Sequence, residues 1–498
     1  MNKRFSESIK VPLKEGWETD LITTNSDKKR LYIGGEWLEG NDHYDLRSPY
    51  SGKVIAQVPL AEKETVLKAI ECAEQGAKEM KKLTALERSN ILERAAEIFK
   101  ERLEECALIL AKENAKPLKA ARGEILRTFE TYKFAAEEAK RIHGETIPMD
   151  AAKNGKGRFA YTKREPLGVI AAITPFNFPF NLAAHKLGPA FAAGNSVILK
   201  PASQTSLSAL AAAGIFEEAG LPKGALNVVT GKGSVVGNVL VTDPRIKMVT
   251  FTGSVEVGLG IKERAGLKKV TLELGSNSAV IIDSAADLDA VAQRCVEGSF
   301  AYSGQVCISV QRIYVQEDLY ESFLQKFTEK TKQLKFGDPE SEDTDLSALI
   351  GINEAKRVEG WIESARNAGT EIASGGQRTG AILHPTIIKN AGSTQEVSCQ
   401  EAFAPIVSVN SYKTWDEAID LVNDSLYGLQ AGVYTTSMPK AFDAVERLEV
   451  GGVIVNDIPS FRVDHMPYGG VKNSGTAREG IKYSVEEMTE LKLAVFTL

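Results

Sequence analysis

The amino-acid sequence predicts an α/β protein whose core is a doubly wound parallel sheet. Three observations lead there. From Leu167 onward short apolar runs alternate with helical segments over short connections: LGVIAAI, AAHKLGPAFAAG, NSVILK, SLSALAAAGIFEEAG, ALNVVT and MVTFTG. That is the pattern of parallel strands joined by crossover helices. A second series of the same kind starts at SAVIID, Ser278 to Asp283, and runs to GGVIVND near Gly451. The chain has 498 residues, 43% hydrophobic and 25% charged, an ordinary globular composition with length for about three domains.

Residues 1–27 are polar and aperiodic and are expected to form an N-terminal extension. From Glu64 to about Lys140 apolar residues recur three and four apart, which predicts three opening helices. Between Ile147 and Gly168 that period is broken by Pro, Gly and alternating polar residues. The break predicts an extended hairpin arm, with a surface loop as the alternative. The alternating series from Leu167 follows, with its ligands expected at the carboxyl ends of the strands. A boundary falls near Gly275. In the second series come a helix from Asp287 to Tyr302, the strand RIYV and a helix from Leu319. The final run, EEMTELKLAVFTL, is strand-like and apolar, difficult for a monomer to bury, and points to pairing with another subunit.

Composition narrows the function classes. With 60 basic against 66 acidic residues and a net charge of −6, nothing attracts the chain as a whole to nucleic acid or an anionic membrane. Five cysteines, Cys72, Cys106, Cys295, Cys307 and Cys399, are odd in number, widely spaced and without a CxxC pair. A disulfide framework and a zinc site are both disfavoured, and a reducing compartment is expected. The charged opening lacks an apolar leader core, and no run approaches ~18 apolar residues. The expectation is a cytoplasmic protein without a membrane anchor.

Three places carry candidate chemistry. Cys307, in SGQVCISV, follows a predicted helix in a Gly-containing turn, a position that exposes a thiol unless it is simply a small buried hydrophobe. Glu273, in VTLELGSN, sits among apolar strand residues, where desolvation suits it to proton transfer; a structural ion pair is the alternative. FTGSVEVG, Phe251 to Gly258, follows a strand and opens a helix, so that backbone amides and the helix N-terminus could hold a pyrophosphate.

These segments occur together with TPFNFPF (Thr174 to Phe180), ILKPASQT (Ile198 to Thr205), EAFAP (Glu401 to Pro405) and PYGGVKNSGTAREG (Pro467 to Gly480). Their order and spacing resemble the aldehyde dehydrogenase superfamily from about residue 30 to the end. The resemblance implies an aldehyde dehydrogenase-like α/β fold. The resemblance implies a dinucleotide-binding domain over 28–146 and 167–275, a catalytic domain over 276–483, and a β-hairpin oligomerisation arm of 147–166 with 484–498. It implies Cys307 as the nucleophile that forms a thiohemiacetal, Asn177 with the Cys307 N–H as oxyanion donors, and Glu273 as the base that hydrolyses the thioester. For NAD or NADP it implies Lys200 and Ser203 at the adenosine ribose, Gly253, Ser254 and Gly258 along the pyrophosphate, and Glu401 with Phe403 at the nicotinamide ribose. Lys186 matches a family lysine near the active site, while Arg312 and Gly275 match structural positions. A homodimer or homotetramer is expected.

Departures from the family pattern sharpen the expectation. Ser203 stands where NAD-preferring relatives often carry a glutamate, so NADP is permitted. Ser276 and Asn277 replace the usual Gly-Lys after ELG, and Ala404 replaces a Gly, which leaves local backbone geometry open. Arg127 resembles a tunnel-facing helix position and Arg462 lies in the tunnel-closing loop; two guanidiniums there would bind a carboxylate, sulfonate or phosphate on the aldehyde. Val306, where phosphate-binding relatives can carry an arginine, disfavours a dianion. A small monoanionic or hydroxylated aldehyde such as sulfolactaldehyde, succinate semialdehyde or lactaldehyde fits better. The alternative for either arginine is a structural ion pair, and His465 and Gln311 are secondary candidates. The rival functions are a coenzyme A-acylating relative, disfavoured by Glu273, and a catalytically silent cofactor-binding or structural protein.

Overall fold

The computed structural model describes residues 28–498; the expected extension over 1–27 lies outside the described residues. Eight strands form the first sheet, in the order Glu36–Leu38, Leu31–Ile33, Leu226–Val228, Ser196–Lys200, Val169–Ile173, Ile246–Thr252, Lys269–Glu273, Gly475–Thr476. The five strands from Leu226–Val228 to Lys269–Glu273 are parallel. The chain winds outward from Val169–Ile173 in one direction, then returns to Ile246–Thr252 and continues in the other. The switch between those two strands opens a crevice at their carboxyl ends. All five residues of Val169–Ile173 and of Ser196–Lys200 are buried, as a sheet covered on both faces by helices requires.

Seven strands form the second sheet, in the order Glu371–Ser374, Thr386–Lys389, Ile406–Tyr412, Arg312–Gln316, Ala279–Ile282, Gln430–Tyr434, Gly452–Val455. Its only antiparallel pairing is at the Glu371–Ser374 edge. The expected α/β architecture with parallel sheets is therefore what the chain adopts.

Two expectations need correction. The opening region holds four helices, Lys63–Lys82, Ala85–Glu101, Leu103–Asn114 and Leu118–Ala139, and not three. The long second run breaks at Arg102, whose φ of −103° and ψ of 25° leave the helical region. The apolar period continues on both sides and so conceals the break. The hairpin arm exists, but its inner strand is short: Thr146–Ile147 covers only two pairs on Arg158–Pro166. The other edge of Arg158–Pro166 carries the C-terminal strand Thr489–Thr497 in unbroken antiparallel register, from Thr489 opposite Pro166 to Thr497 opposite Arg158. The tail therefore pairs along one edge within its own chain. Among the described residues no helix is long and apolar enough to cross a membrane.

Candidate active site

Cys307 follows the helix Leu288–Phe300 in a turn that the backbone adopts against its preferences. Tyr302 (φ 48°) and Ser303 (φ 54°) are left-handed, as is Gly304 (φ 72°). Two non-glycine residues in that region cost on the order of 1–3 kcal/mol each, and side chains offset the strain. The Tyr302 hydroxyl donates to the Asn114 carbonyl (2.9 Å), Ser303 to the Ser347 carbonyl (2.8 Å), and the Ile350 N–H to Gln305 Oε1 (2.9 Å). Gly304 is required twice over, because a Cβ there would lie 2.2 Å from the Ala404 carbonyl oxygen. The turn leaves the Cys307 N–H without a backbone acceptor and sets Cys307 beside Ile308, Leu429 and Tyr468. Cys307 Sγ lies 2.9 Å from the Tyr468 hydroxyl. Burial pushes the thiol up to about 11, against the pull of the Tyr468 hydroxyl and the Arg462 cation.

Asn177 belongs to the loop after Val169–Ile173, at the switch crevice. Its side-chain N–H donates to the Gln305 carbonyl (3.0 Å), tying it to the cysteine turn, while its Oδ1 is buried without a partner. The loop is held from beneath. Lys116 Nζ donates to the Asn177 carbonyl (2.6 Å), pairs with Glu124, and lies 3.8 Å from the Phe178 ring centroid. Glu124 in turn accepts from the N–H groups of Phe180 (3.0 Å) and Asn181 (3.2 Å), at the start of the helix Pro179–Ala193.

Glu273 ends the strand Lys269–Glu273 and is 5% exposed, with Oε2 unpartnered. Burial, reinforced by the nearby Glu479 carboxylate, raises its pKa well above the usual carboxylate range. Glu479 behaves oppositely. Although buried, it is pulled down to about 2 by Lys186 and Arg462, which contact it at 3.2 and 3.1 Å. Two buried carboxylates with opposite shifts mark a site where one resists ionisation and the other favours it.

Arg127 and Arg462, 335 positions apart in sequence, meet in one buried network. Arg127 contacts Asp464 (2.6 Å); Asp464 contacts His185 Nε2 (2.9 Å); His185 Nε2 faces Arg462 Nη2 (3.1 Å). Arg462 continues to Glu479 and stacks its guanidinium 3.7 Å from the Tyr468 ring centroid. Burial and the Arg462 charge lower the His185 pKa, so this ring is neutral. One ring nitrogen cannot both donate to Asp464 and accept from Arg462, so one of those two contacts is not a hydrogen bond. His185 Nδ1 and Arg462 Nε are buried without partners.

The expected cofactor residues line the switch crevice and the gap between the sheets. Lys200 is buried at a strand end, makes a single hydrogen bond to the Pro201 carbonyl (3.0 Å), and is lowered to about 8 by that burial. Ser203 lies in the short turn that follows, its carbonyl taken by the Tyr44 hydroxyl (2.8 Å). Ser254 stands at the N-terminus of the helix Val255–Arg264 with no side-chain capping bond, and the neighbouring Thr252 hydroxyl is buried and unpartnered. The glycines act otherwise than as amide donors. The Gly253 N–H is committed to the Glu273 carbonyl (3.0 Å) and the Gly258 N–H to the Ser254 carbonyl (3.0 Å). A Cβ on Gly253 would lie 2.5 Å from the Phe251 ring, and one on Gly258 2.5 Å from Leu274. These glycines therefore provide clearance. Glu401 accepts from the Ser276 N–H (2.9 Å) and is raised to about 7 by burial. Phe403 (φ 49°) packs edge-on against Phe176 at 5.7 Å. Ser276, Gly304, Val306, Glu401 and Phe403 are among the residues lining a small pocket here. Orphaned hydroxyls, an uncapped helix start and a lysine without a carboxylate partner fit an anionic dinucleotide.

The remaining residues fall into place. Gly275 leaves room for Glu401, whose Oε2 would lie 2.5 Å from a Cβ there, and Arg312 donates to the Asn277 (2.9 Å), Leu421 (3.1 Å) and Val422 (3.2 Å) carbonyls. Asn277 is satisfied by the Ser398 carbonyl (3.0 Å) and the Ser425 hydroxyl (2.8 Å), which resolves the open geometry of the ELGSN variation. Gln311 braces the Glu401 loop through Gln400 and Ala402, and the His465 ring packs tilted against Phe134. Sequence reading gave no role to Tyr468, Glu479, His185 or Asp464. Tyr468 and Glu479 stand in the quoted PYGGVKNSGTAREG segment, where a carboxylate inside a Gly-rich run was the available signal.

Comparison with known proteins identifies the family. Residues 37–494 match the model of the aldehyde dehydrogenase family. The chain is 47% identical over 468 residues to the 3-sulfolactaldehyde dehydrogenase of Priestia aryabhattai, covering 94% of this chain and 98% of that one. The crystal structure of an aldehyde dehydrogenase from Physcomitrella patens in complex with the reaction product succinate superposes with a TM-score of 0.93 at 40% identity, over 95% of this chain and 99% of that one. An NADP-dependent glyceraldehyde-3-phosphate dehydrogenase from Bacillus halodurans complexed with NADP gives 0.92 at 38%, over 95% and 100%. The motifs, the two wound sheets and these likenesses agree: the chain belongs to the aldehyde dehydrogenase family of oxidoreductases.

Proposed function

We propose that the protein oxidises a small monoanionic aldehyde to its carboxylic acid, with NAD or NADP as acceptor. One observation carries the choice of an anionic substrate. Around the cysteine turn the buried network sets three cations, Arg127, Lys186 and Arg462, against two ionised carboxylates, Asp464 and Glu479. Burial and the Glu479 charge disfavour ionisation of Glu273, and His185 is neutral. The cations outnumber the carboxylates they contact by one, and the buried Arg462 Nε–H lacks a partner. A single carboxylate or sulfonate balances that charge; a dianion overshoots it. Likeness to a 3-sulfolactaldehyde dehydrogenase and to an enzyme holding succinate supports the same reading.

In this mechanism the Cys307 thiolate attacks the aldehyde carbon. The Asn177 side-chain amide, released from the Gln305 carbonyl, and the free Cys307 N–H hold the developing oxyanion; one such donor is worth about 3 kcal/mol. Lys200, Ser203, Ser254, Glu401 and Phe403 would hold the dinucleotide, which would supply the hydride acceptor. Glu273, once deprotonated, takes a proton from the water that attacks the thioester. The test is a set of initial rates for NADH and NADPH formation over anionic and neutral aldehydes, with and without coenzyme A, for wild type and Arg462→Ala. The expected outcome is a coenzyme A-independent preference for an anionic aldehyde, with KM for it raised at least about tenfold in Arg462→Ala and KM for neutral aldehydes little changed. Equal losses on both classes would return the arginines to structure, and a coenzyme A requirement would favour the acylating reading.

A further inference from the structure

Tyr468 is the closest polar neighbour that the fold gives the reactive thiol, and the way it is held is specific. A two-way backbone bridge pins its position. The Tyr468 N–H donates to the Glu479 carbonyl (3.0 Å) and the Glu479 N–H to the Tyr468 carbonyl (2.6 Å). The ring is 3% exposed and lies under the Arg462 guanidinium, 3.7 Å from its centroid. The hydroxyl points at Cys307 Sγ, 2.9 Å away. Ile308 and Leu429 complete an apolar wall around the pair, where a hydrogen bond to a charged atom is stronger than in water.

We propose that Tyr468 is a catalytic residue that stabilises the Cys307 thiolate by donating its phenolic hydrogen to the sulfur. The proposal rests on Cys307 being the nucleophile. The chemistry runs in one direction. A thiol beside a phenol can donate or accept, but a thiolate only accepts, so ionisation of Cys307 fixes the phenol as donor. Burial and the neighbouring thiolate hold the phenol protonated, well above its usual range, so it keeps the hydrogen it must offer. The thiol proton leaves to solvent, the S–H electron pair stays on sulfur, and the Arg462 charge over the ring makes the phenol a stronger donor. Once sulfur bonds to the aldehyde carbon its charge is gone and the Tyr468 bond weakens. The stabilisation therefore acts on the attacking state and does not persist in the acyl enzyme.

The test reads the thiolate directly. Iodoacetamide alkylates only the ionised sulfur, forming the S–C bond as iodide leaves, so its rate against pH titrates Cys307. The measurement is the Cys307 alkylation rate, by peptide mass, from pH 7 to 11 for the full-length wild type, Tyr468→Phe, and an enzyme with 3-fluorotyrosine placed at 468, with Cys307→Ser as the blank. Tyr468→Phe removes one oxygen and retains the ring, and its fold is checked by melting temperature and dinucleotide binding. The expected result is a Tyr468→Phe reaction roughly tenfold slower at every pH on the rising limb, as a midpoint about one pH unit higher requires. The more acidic fluorinated phenol should move the midpoint below wild type, a shift of opposite sign that a packing role cannot produce. Superimposable profiles for all three would overturn the proposal, and so would a fluorinated enzyme that shifts the same way as Tyr468→Phe. Residual turnover in Cys307→Ser would instead overturn the nucleophile assignment on which it rests.

Discussion

At the scale of the residue the site is governed by where protons reside. Glu273 and Glu479 are both buried, yet one is raised by burial and by its neighbour's charge while the other is drawn down to about 2 by Lys186 and Arg462. The sign matters for rate. Only ionised Glu273 can take a proton from water, so thioester hydrolysis should rise with pH across a range above the usual carboxylate value. Removing the Glu479 charge removes a repulsion that raises Glu273 and frees two cations to lower it. Deacylation of Glu479→Gln, followed by rapid quench across pH, should therefore begin at lower pH than in wild type. An unmoved profile would detach Glu273 from the base role. The sign also holds for stability: a carboxyl raised in the folded state favours folding below its unfolded pKa and loses that contribution as pH climbs through the folded value.

Elements explain which parts of this were legible in the sequence. Strand and helix alternation marked the winding of both sheets because buried parallel strands are continuous apolar runs, as in VIAAI and SVILK. The opening strands went unread. Leu31–Ile33 and Glu36–Leu38 are only three residues each and announce themselves mainly by Gly34 and Gly35, whose positive φ values make the hairpin turn. In the site, motif order pointed to Cys307, Asn177 and Glu273. Asp464 and His185 stayed silent because their partners stand 337 and 277 positions away in sequence, a proximity that only the fold creates. The arm carries an element-scale prediction. Its strand Thr489–Thr497 leaves one edge unpaired and exposes Leu491 (58%), Leu493 (56%) and Val495 (41%) on one face. We propose that a second copy covers it, giving a dimer or tetramer. Light scattering should show Leu493→Lys shifted toward a smaller species, and a monomeric wild type would contradict this.

For the whole molecule, the site exists because three chain regions far apart in sequence converge. The loop after Val169–Ile173 brings Asn177, the turn after Leu288–Phe300 brings Cys307, and the segment bridging onto Lys269–Glu273 brings Tyr468 and Glu479. Lys116, in the connection before the helix Leu118–Ala139, and Glu124, within that helix, lock the first of these from beneath. In the proposed mechanism this convergence carries an acyl group on one sulfur. The direct measurement is intact mass of Glu273→Gln enzyme quenched after mixing with NAD or NADP and an anionic aldehyde such as sulfolactaldehyde or succinate semialdehyde. The expected result is one adduct per chain, the mass of the aldehyde less two hydrogens, mapped to the Cys307 peptide, with one equivalent of reduced cofactor. Steady turnover with no adduct, or an adduct on any other residue, would contradict the mechanism.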